Sequence, residues 1–374
     1  MRVEPAGARA ARLKDMRRPL LIVLAALSFR AAVPLGAQEA SALRTRFVRD
    51  QTLLGLTLYG PAFAGAIADD GVSALAAYLV MSGGMFFASA ELSQHVEITE
   101  ARQLLATGLG ARGAGSGALI ASQAGAGFRE RAAATLVGGL GGTIAGLAMG
   151  TGIEGGDAAA TLFGHDLLYA SAMALTTTSD RDLFDTKGGA EATAAAAWTA
   201  AGWLGAGLGR LYAGVTPHRV TVGDVQTLWL GATLGAAAGA TAVANGAPEP
   251  QTVAMALMGG AFVGTVAAER LFVRRYDLSR SQANLVTVGS GAGALMGLGI
   301  GLLAQGEADR NGATTFAFAT AGAATGAVLT ARYVGPARDA GRVGALGRLR
   351  VDPLAAVAAA TGRPGPHTLV HFTF

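Results

Sequence analysis

Cysteine is absent from this chain of 374 residues, so neither a disulfide framework nor a thiolate metal site can form. Charge is scarce. Asp, Glu, Lys and Arg make up 14% of the residues, against roughly 25% in a soluble domain. Aromatic residues are only 6%, too few for the aromatic girdles of a membrane β-barrel, and no period-2 patterning precedes residue 350. The formal net charge of +4 is local. Seven basic and two acidic residues lie in the first 37, and the remainder carries 22 basic and 23 acidic. A nucleic-acid partner is therefore excluded for want of a basic face. The five histidines, His95, His165, His218, His367 and His371, include no pair with metal-ligand spacing on one helix face, and each reads as a loop or structural residue. "GIEGGD" at 152–157 and "GSGAG" at 289–293 lack the strand and lysine of a phosphate loop. No nucleophile–base set or metal set can be named, so the expectation is a non-enzymatic protein with no cofactor.

What the chain has in quantity is glycine, 56 residues, about twice the usual share. The glycines are placed in a repeat. Four segments align: "TEARQLLATGLGARGAGSG" from Thr99, "EGGDAAATLFGHDLLYASA" from Glu154, "TVGDVQTLWLGATLGAAAG" from Thr221 and "SRSQANLVTVGSGAGALMG" from Ser279, with starts 55, 67 and 58 residues apart. Between them lie segments of a second type, centred on Gly142, Gly205, Gly264 and Gly326. The unit is a pair of segments in about 60 residues. A divergent pair at 51–68 and 71–90 precedes them.

These segments read as helices. Ser279 with Gln282, and Thr221 with Asp224, have the spacing of a capping box, and Thr99 reads as the cap of the first repeat. Val220 and Val225 are placed for a hydrophobic staple across one such start. Small residues recur every fourth position: Gly138, Gly142, Gly146 and Gly150; Gly205 and Gly209; Gly231, Gly235 and Gly239; Gly260 and Gly264; Gly289, Gly293 and Gly297; Gly322 and Gly326. Four-residue spacing holds one helix face. Several stretches run about 20 residues without charge, among them 132–153, 225–248, 250–268, 281–306 and 311–331. That is the span of a bilayer core, and the expected partner is the lipid bilayer. In water each interior glycine costs about 1 kcal/mol of helix propensity against alanine. In lipid, where apolar surface brings no drive to associate, a glycine face lets two backbones approach closely. The glycines above are thus expected to be helix-packing positions. Polar residues three after each start, Arg102, Asp157, Asp224 and Gln282, read as first-turn groups or as a polar ring facing the bundle interior. Ionisable groups otherwise look scattered, as Arg112 does.

"MRRPLLIVLAALSFRAAVPLGAQEA" from Met16 reads as a secretory signal, with Arg17 and Arg18 before an apolar run and Ala37 as the last residue removed. Arg30 interrupts that run, and a basic leader or an uncleaved anchor is the competing reading. Loop charge points elsewhere. One side of the expected array carries 14 arginines and the other five basic residues, which favours cytoplasmic placement of the first side, whereas a cleaved leader places residues 44–49 outside. "HTLVHFTF" alternates and ends in phenylalanine, with "RLRVDPLAAV" as partner strand across "GRPG".

With "LYGPAFAGAIADDGVSALAAYLVMSGGMFF" at 58–87 and the repeated glycine-spaced units, the chain resembles uncharacterised exported bacterial envelope proteins with Gly/Ala-rich helical segments. That resemblance implies export and carries no activity. The expectation is an all-α, membrane-embedded array of about ten helices: a signal peptide at 1–37, the divergent pair at 38–95, four helix-pair repeats at 96–334 and a tail at 335–374 with a short terminal β-hairpin. A structural or assembly scaffold is the first functional reading, with self-association into a homo-oligomer left open. A channel or transporter for a small solute is the alternative. The outer membrane is slightly favoured over the inner.

Overall fold

The computed structural model describes residues 35–177, 190–244, 249–305, 311–335, 349–351 and 370–372. Residues 1–34 of the expected signal peptide and most of the tail lie outside the described residues, and the expected cleavage point after Ala37 falls in the first turn of the first described helix. The architecture is all-helical. Helix α1 (Leu35–Leu54) passes through a π turn (Gly55–Tyr59) into α2 (Gly60–Ile67), and α3 (Gly71–His95) folds back on it. Four antiparallel hairpins follow: α4 (Glu100–Gln123) with α5 (Phe128–Met149), α6 (Gly155–Thr177) with α7 (Ala190–Val215), α8 (Val222–Val243) with α9 (Pro250–Ala268), and α10 (Arg280–Ala304) with α11 (Gly312–Val334). A second π turn (Glu269–Val273) prolongs α9. Strands β1 (Leu349–Val351) and β2 (Val370–Phe372) pair antiparallel, with Arg350 opposite His371.

Local chemistry sets the helix starts. Asp70 accepts from the amides of Val72 and Ser73 at 2.8 and 3.0 Å, opening α3. Thr99 caps α4 through the amide of Arg102. Thr221 with Asp224, and Ser279 with Gln282, each form a complete capping box. Asn311 caps α11, and Pro250 stands in the first turn of α9, where its missing N–H has no helical partner to lose. At the other end of α4, Gly125 takes φ +72°, with Ala126 N–H donating to Ala121 O and Gly125 N–H to Ser122 O. That is a Schellman stop, and its left-handed position is one a side chain strains.

The hairpins form two rows. The first helices, α4, α6, α8 and α10, touch in succession, and α8 also packs on α9 and α11. Buried apolar residues gather where the first helices start: Val220, Val225, Leu228, Val273, Leu278 and Val286 share one cluster. The second helices lie outside, each packed chiefly against its own partner, with α5 also against α2 and α11 also against α8. Among the described residues, five helical stretches are long and apolar enough to cross a bilayer: Gly71–His95, Phe128–Met149, Pro250–Val273, Arg280–Ala304 and Gly312–Val334. Only 11–22% of the residues in their apolar windows are buried within the protein, so their large side chains, such as Val137, Val263, Leu295 and Leu303, point outward. At 1.5 Å per residue, these stretches reach or exceed the ~30 Å hydrocarbon thickness.

The expected array of about ten helices is present, but among the described residues five stretches meet the length and apolarity of a span. The first helices of the first two hairpins carry Arg102, Arg112, Asp157 and Asp166, and α8, though nearly uncharged, is the central helix. The first helix of the divergent pair extends before the 51–68 segment, to within a few residues of the bound at 38 expected for that pair. It runs unbroken from Leu35 because Phe47, Gln51 and Leu54, spaced by four and three, are buried, while Arg44, Arg46 and Arg49 are exposed.

Candidate functional site: helix contacts and a buried charge cluster

The glycines spaced by four meet backbone. A methyl group on Gly113 would overlap the carbonyl oxygen of Gly138, and one on Gly138 that of Gly113. The same reciprocal contact joins Gly164 with Gly205, Gly235 with Gly260, and Gly293 with Gly322. Each hairpin therefore has at least one point where two glycines face across the helix pair, and the third has a second, Gly231 with Gly264. In three of them the first glycine stands fourteen residues after the cap: Gly113 after Thr99, Gly235 after Thr221, Gly293 after Ser279. The second hairpin has Leu168 at that place, and its reciprocal pair moves one turn towards the helix start, to Gly164.

The other glycines at four-residue spacing line the same interfaces. Gly142 meets Leu109 O, Gly146 the Leu105 carbonyl, Gly209 Ala160 O, Gly239 Ala256 O, Gly297 Phe318 O and Gly326 Gly289 O. Gly231 meets Ala268 Cβ, Gly264 meets Gly231 O, and Gly289 faces the Thr330 hydroxyl. By contrast Gly141, Gly207, Gly259, Gly291 and Gly299 have open space where a Cβ would stand.

A second set of contacts, between hairpins, has no periodic signature. A methyl group on Gly156 would strike Val220 O, and one on Gly223 would strike Leu278 O. Gly156 and Gly223 hold equivalent positions in their repeats, as do Val220 and Leu278. Thr221 Oγ1 donates to Leu278 O at 2.7 Å, tying the start of α8 to that of α10. Arg219 pairs with Glu154 at 2.6 Å, and Arg280 with Glu100 at 3.8 Å. "GIEGGD" is thus a helix start pressed against the next repeat.

The polar residues near the starts act as clamps. Arg102 donates to Glu97 O and Thr151, Arg210 to Asp157, and Gln282 to Val334 O. Asp224 is fully buried, and its Oδ2 accepts from Thr221 N–H at 3.0 Å. Its position follows from the capping box.

The ionisable groups are not all scattered. Arg112 on α4 reaches Asp166 on α6 through two bonds, Nε to Oδ1 at 2.6 Å and a terminal nitrogen to Oδ2, and also donates to Gly108 O at 2.9 Å. His165 Nδ1 lies 2.9 Å from Asp166 Oδ1. The His165 ring is buried, stacks on Tyr169 and meets Trp203 edge-on. Gly202 faces that ring so closely that a methyl there would stand 2.7 Å from Nε2. Asp166 gave no periodic or motif signal; only adjacency to His165 and a partner 54 residues away reveal it.

Tyr59 was also hidden. It is fully buried, donates to Gly139 O at 3.1 Å and pairs with the Thr143 hydroxyl at 2.8 Å. Gly139 leaves room for its ring. No group of three metal-ligating side chains occurs among the described residues. Compared with known proteins, the chain matches no family model, no curated protein and no solved structure.

Proposed function

We propose that this is a non-enzymatic membrane protein of the bacterial cell envelope that works as a structural or assembly scaffold, held together by glycine faces between helices. The reciprocal glycine contact in all four hairpins carries the reading. It commits the small-residue faces to intramolecular packing and leaves the large apolar side chains for lipid. Paired helices in backbone contact leave no lumen between them. Export rests on the leader-like segment from Met16. Reconstitution into vesicles tests the scaffold: ion and small-solute flux should not exceed that of empty vesicles, and a saturable flux would overturn it.

The Arg112–Asp166–His165 cluster favours a second reading, a small-solute transporter. Buried ionisable groups between helices mark many substrate and proton paths. On that reading, Asp166→Asn abolishes flux measured per folded protein recovered.

A further inference from the structure

The two-row architecture leaves a groove where two outer helices fail to meet. Its floor is α8 from Gly231 to Ala242, and its walls are the C-terminal end of α9, from Gly264 through Phe272 of the π turn, and α11 from Ala317 to Val328. Its volume is about 570 Å³. Small side chains make it: Ala238 on the floor, with Ala267, Ala321 and Ala324 on the walls.

The groove offers a ligand almost nothing polar. Its two hydroxyls are used within their own helices, Thr241 donating to Ala237 O at 2.8 Å and Thr320 to Phe316 O at 2.9 Å. Water, which needs two to four polar partners, is poorly held there. An aliphatic chain suits it. Eleven residue steps along α11 give a slot roughly 16 Å long, about half the hydrocarbon thickness.

One end of the groove is basic on balance, with Arg270, Arg274, Arg275 and Arg332 against Glu269 and Asp277. Arg270 precedes Leu271 on one wall, and Arg332 stands one turn beyond Val328 on the other. Arg274 and Arg275 follow the π turn. Arg274 pairs with Glu269, while Arg270, Arg275 and Arg332 are exposed and form no ion pair among the described residues. These charges lie at the end where the first helices start and where loop arginines concentrate.

We propose that the groove holds one acyl chain of an anionic membrane phospholipid, with its phosphate among Arg270, Arg275 and Arg332. The apolar slot selects the chain, and the arginines select the sign of the headgroup. The proposal rests on membrane placement, which flotation with vesicles checks separately.

The test is quantitation of phospholipid retained by the full-length protein, extracted in mild detergent from vesicles with equal phosphatidylglycerol and phosphatidylcholine. The expected result is about one phosphatidylglycerol per chain, lost in Ala324→Leu, which fills the slot, and kept in Leu295→Phe, which lies on an outer face away from it. Arg332→Gln is a surface change that leaves the packing intact. It should lower the preference for phosphatidylglycerol about fivefold, the effect of one arginine at an anionic surface. Equal retention of both lipids by the unaltered protein, or undiminished retention in Ala324→Leu, would overturn the proposal. So would dimerisation that Ala324→Leu abolishes, which would make a second copy the occupant. If Ala324→Leu fails to float, Arg332→Gln alone decides.

Discussion

At Gly293 the carbonyl of Gly322 occupies the place a side chain would take, while Gly291, on the same helix, faces open space. The pair separates packing from composition. Gly293→Leu must force α10 and α11 apart, at the 1–3 kcal/mol or more typical of overpacking. Gly291→Leu should be nearly neutral in a thermal-unfolding assay in detergent. The same contrast holds for Gly235→Leu against Ala238→Leu, since Ala238 lines the open groove. Equal tolerance within either pair would remove the close-approach argument. The Arg112–Asp166 bridge sets a different test. Both side chains keep about a quarter or less of their surface, so losing one partner strands a largely buried charge. Arg112→Met and Asp166→Leu should each lower stability by about 3 kcal/mol at most, and the double variant should recover much of it. Additive losses would mean the two groups act independently. The four-residue glycine spacing was legible because it belongs to one helix face. Gly139 and Gly156 were not, because their reasons for being glycine lie on Tyr59 and Val220, in other elements.

The helix starts were the clearest elements to read, because capping is local chemistry. The Thr221–Asp224 box joins two residues three apart, and any chain with that spacing before an apolar run offers it. Thr221 has a further duty in its bond to Leu278 O. Thr221→Ala removes a cap and an inter-repeat bond together, and should cost about 1–2 kcal/mol. The start of α3 carries a pH signature. The amides of Ser73 and Val72 hold the exposed Asp70 carboxyl below its ordinary value of 3.8. A carboxylate whose value is depressed by folding contributes fully above the unfolded value, and that contribution is lost as pH falls through the folded one. Hydrogen exchange at Val72 and Ser73 should therefore quicken as pH drops below about 4, relative to the intrinsic rate. In Asp70→Ser, which caps without titrating, the protection should be flat with pH; an unchanged acid response would place its origin elsewhere. The π turns left no trace in the sequence. Each inserts a residue where long-range packing demands it, burying Tyr59 in one case and Phe272 and Val273 in the other. In α1 the buried stripe of Phe47, Gln51 and Leu54 is regular, but Arg44, Arg46 and Arg49 between and before its members hide it in the composition.

For the whole molecule, the account is a row of first helices bound through their starts, with outer helices whose large side chains face away from the protein. Composition gave the membrane character and the repeat gave the hairpins. The inner and outer rows depend on which hairpins touch, and the separated glycines at 156 and 223 that fix this have no period. Because the chain lacks cysteine, a single introduced thiol reports its surroundings cleanly. The decisive measurement is labelling of Val263→Cys, Leu295→Cys and Arg275→Cys variants in sealed vesicles by a membrane-permeant maleimide that reacts only in water. The account predicts that the thiol at 275 reacts fully, while those at 263 and 295 react only after detergent is added. Full reaction of all three in intact vesicles would mean that the outer faces meet water, and the membrane architecture would be wrong.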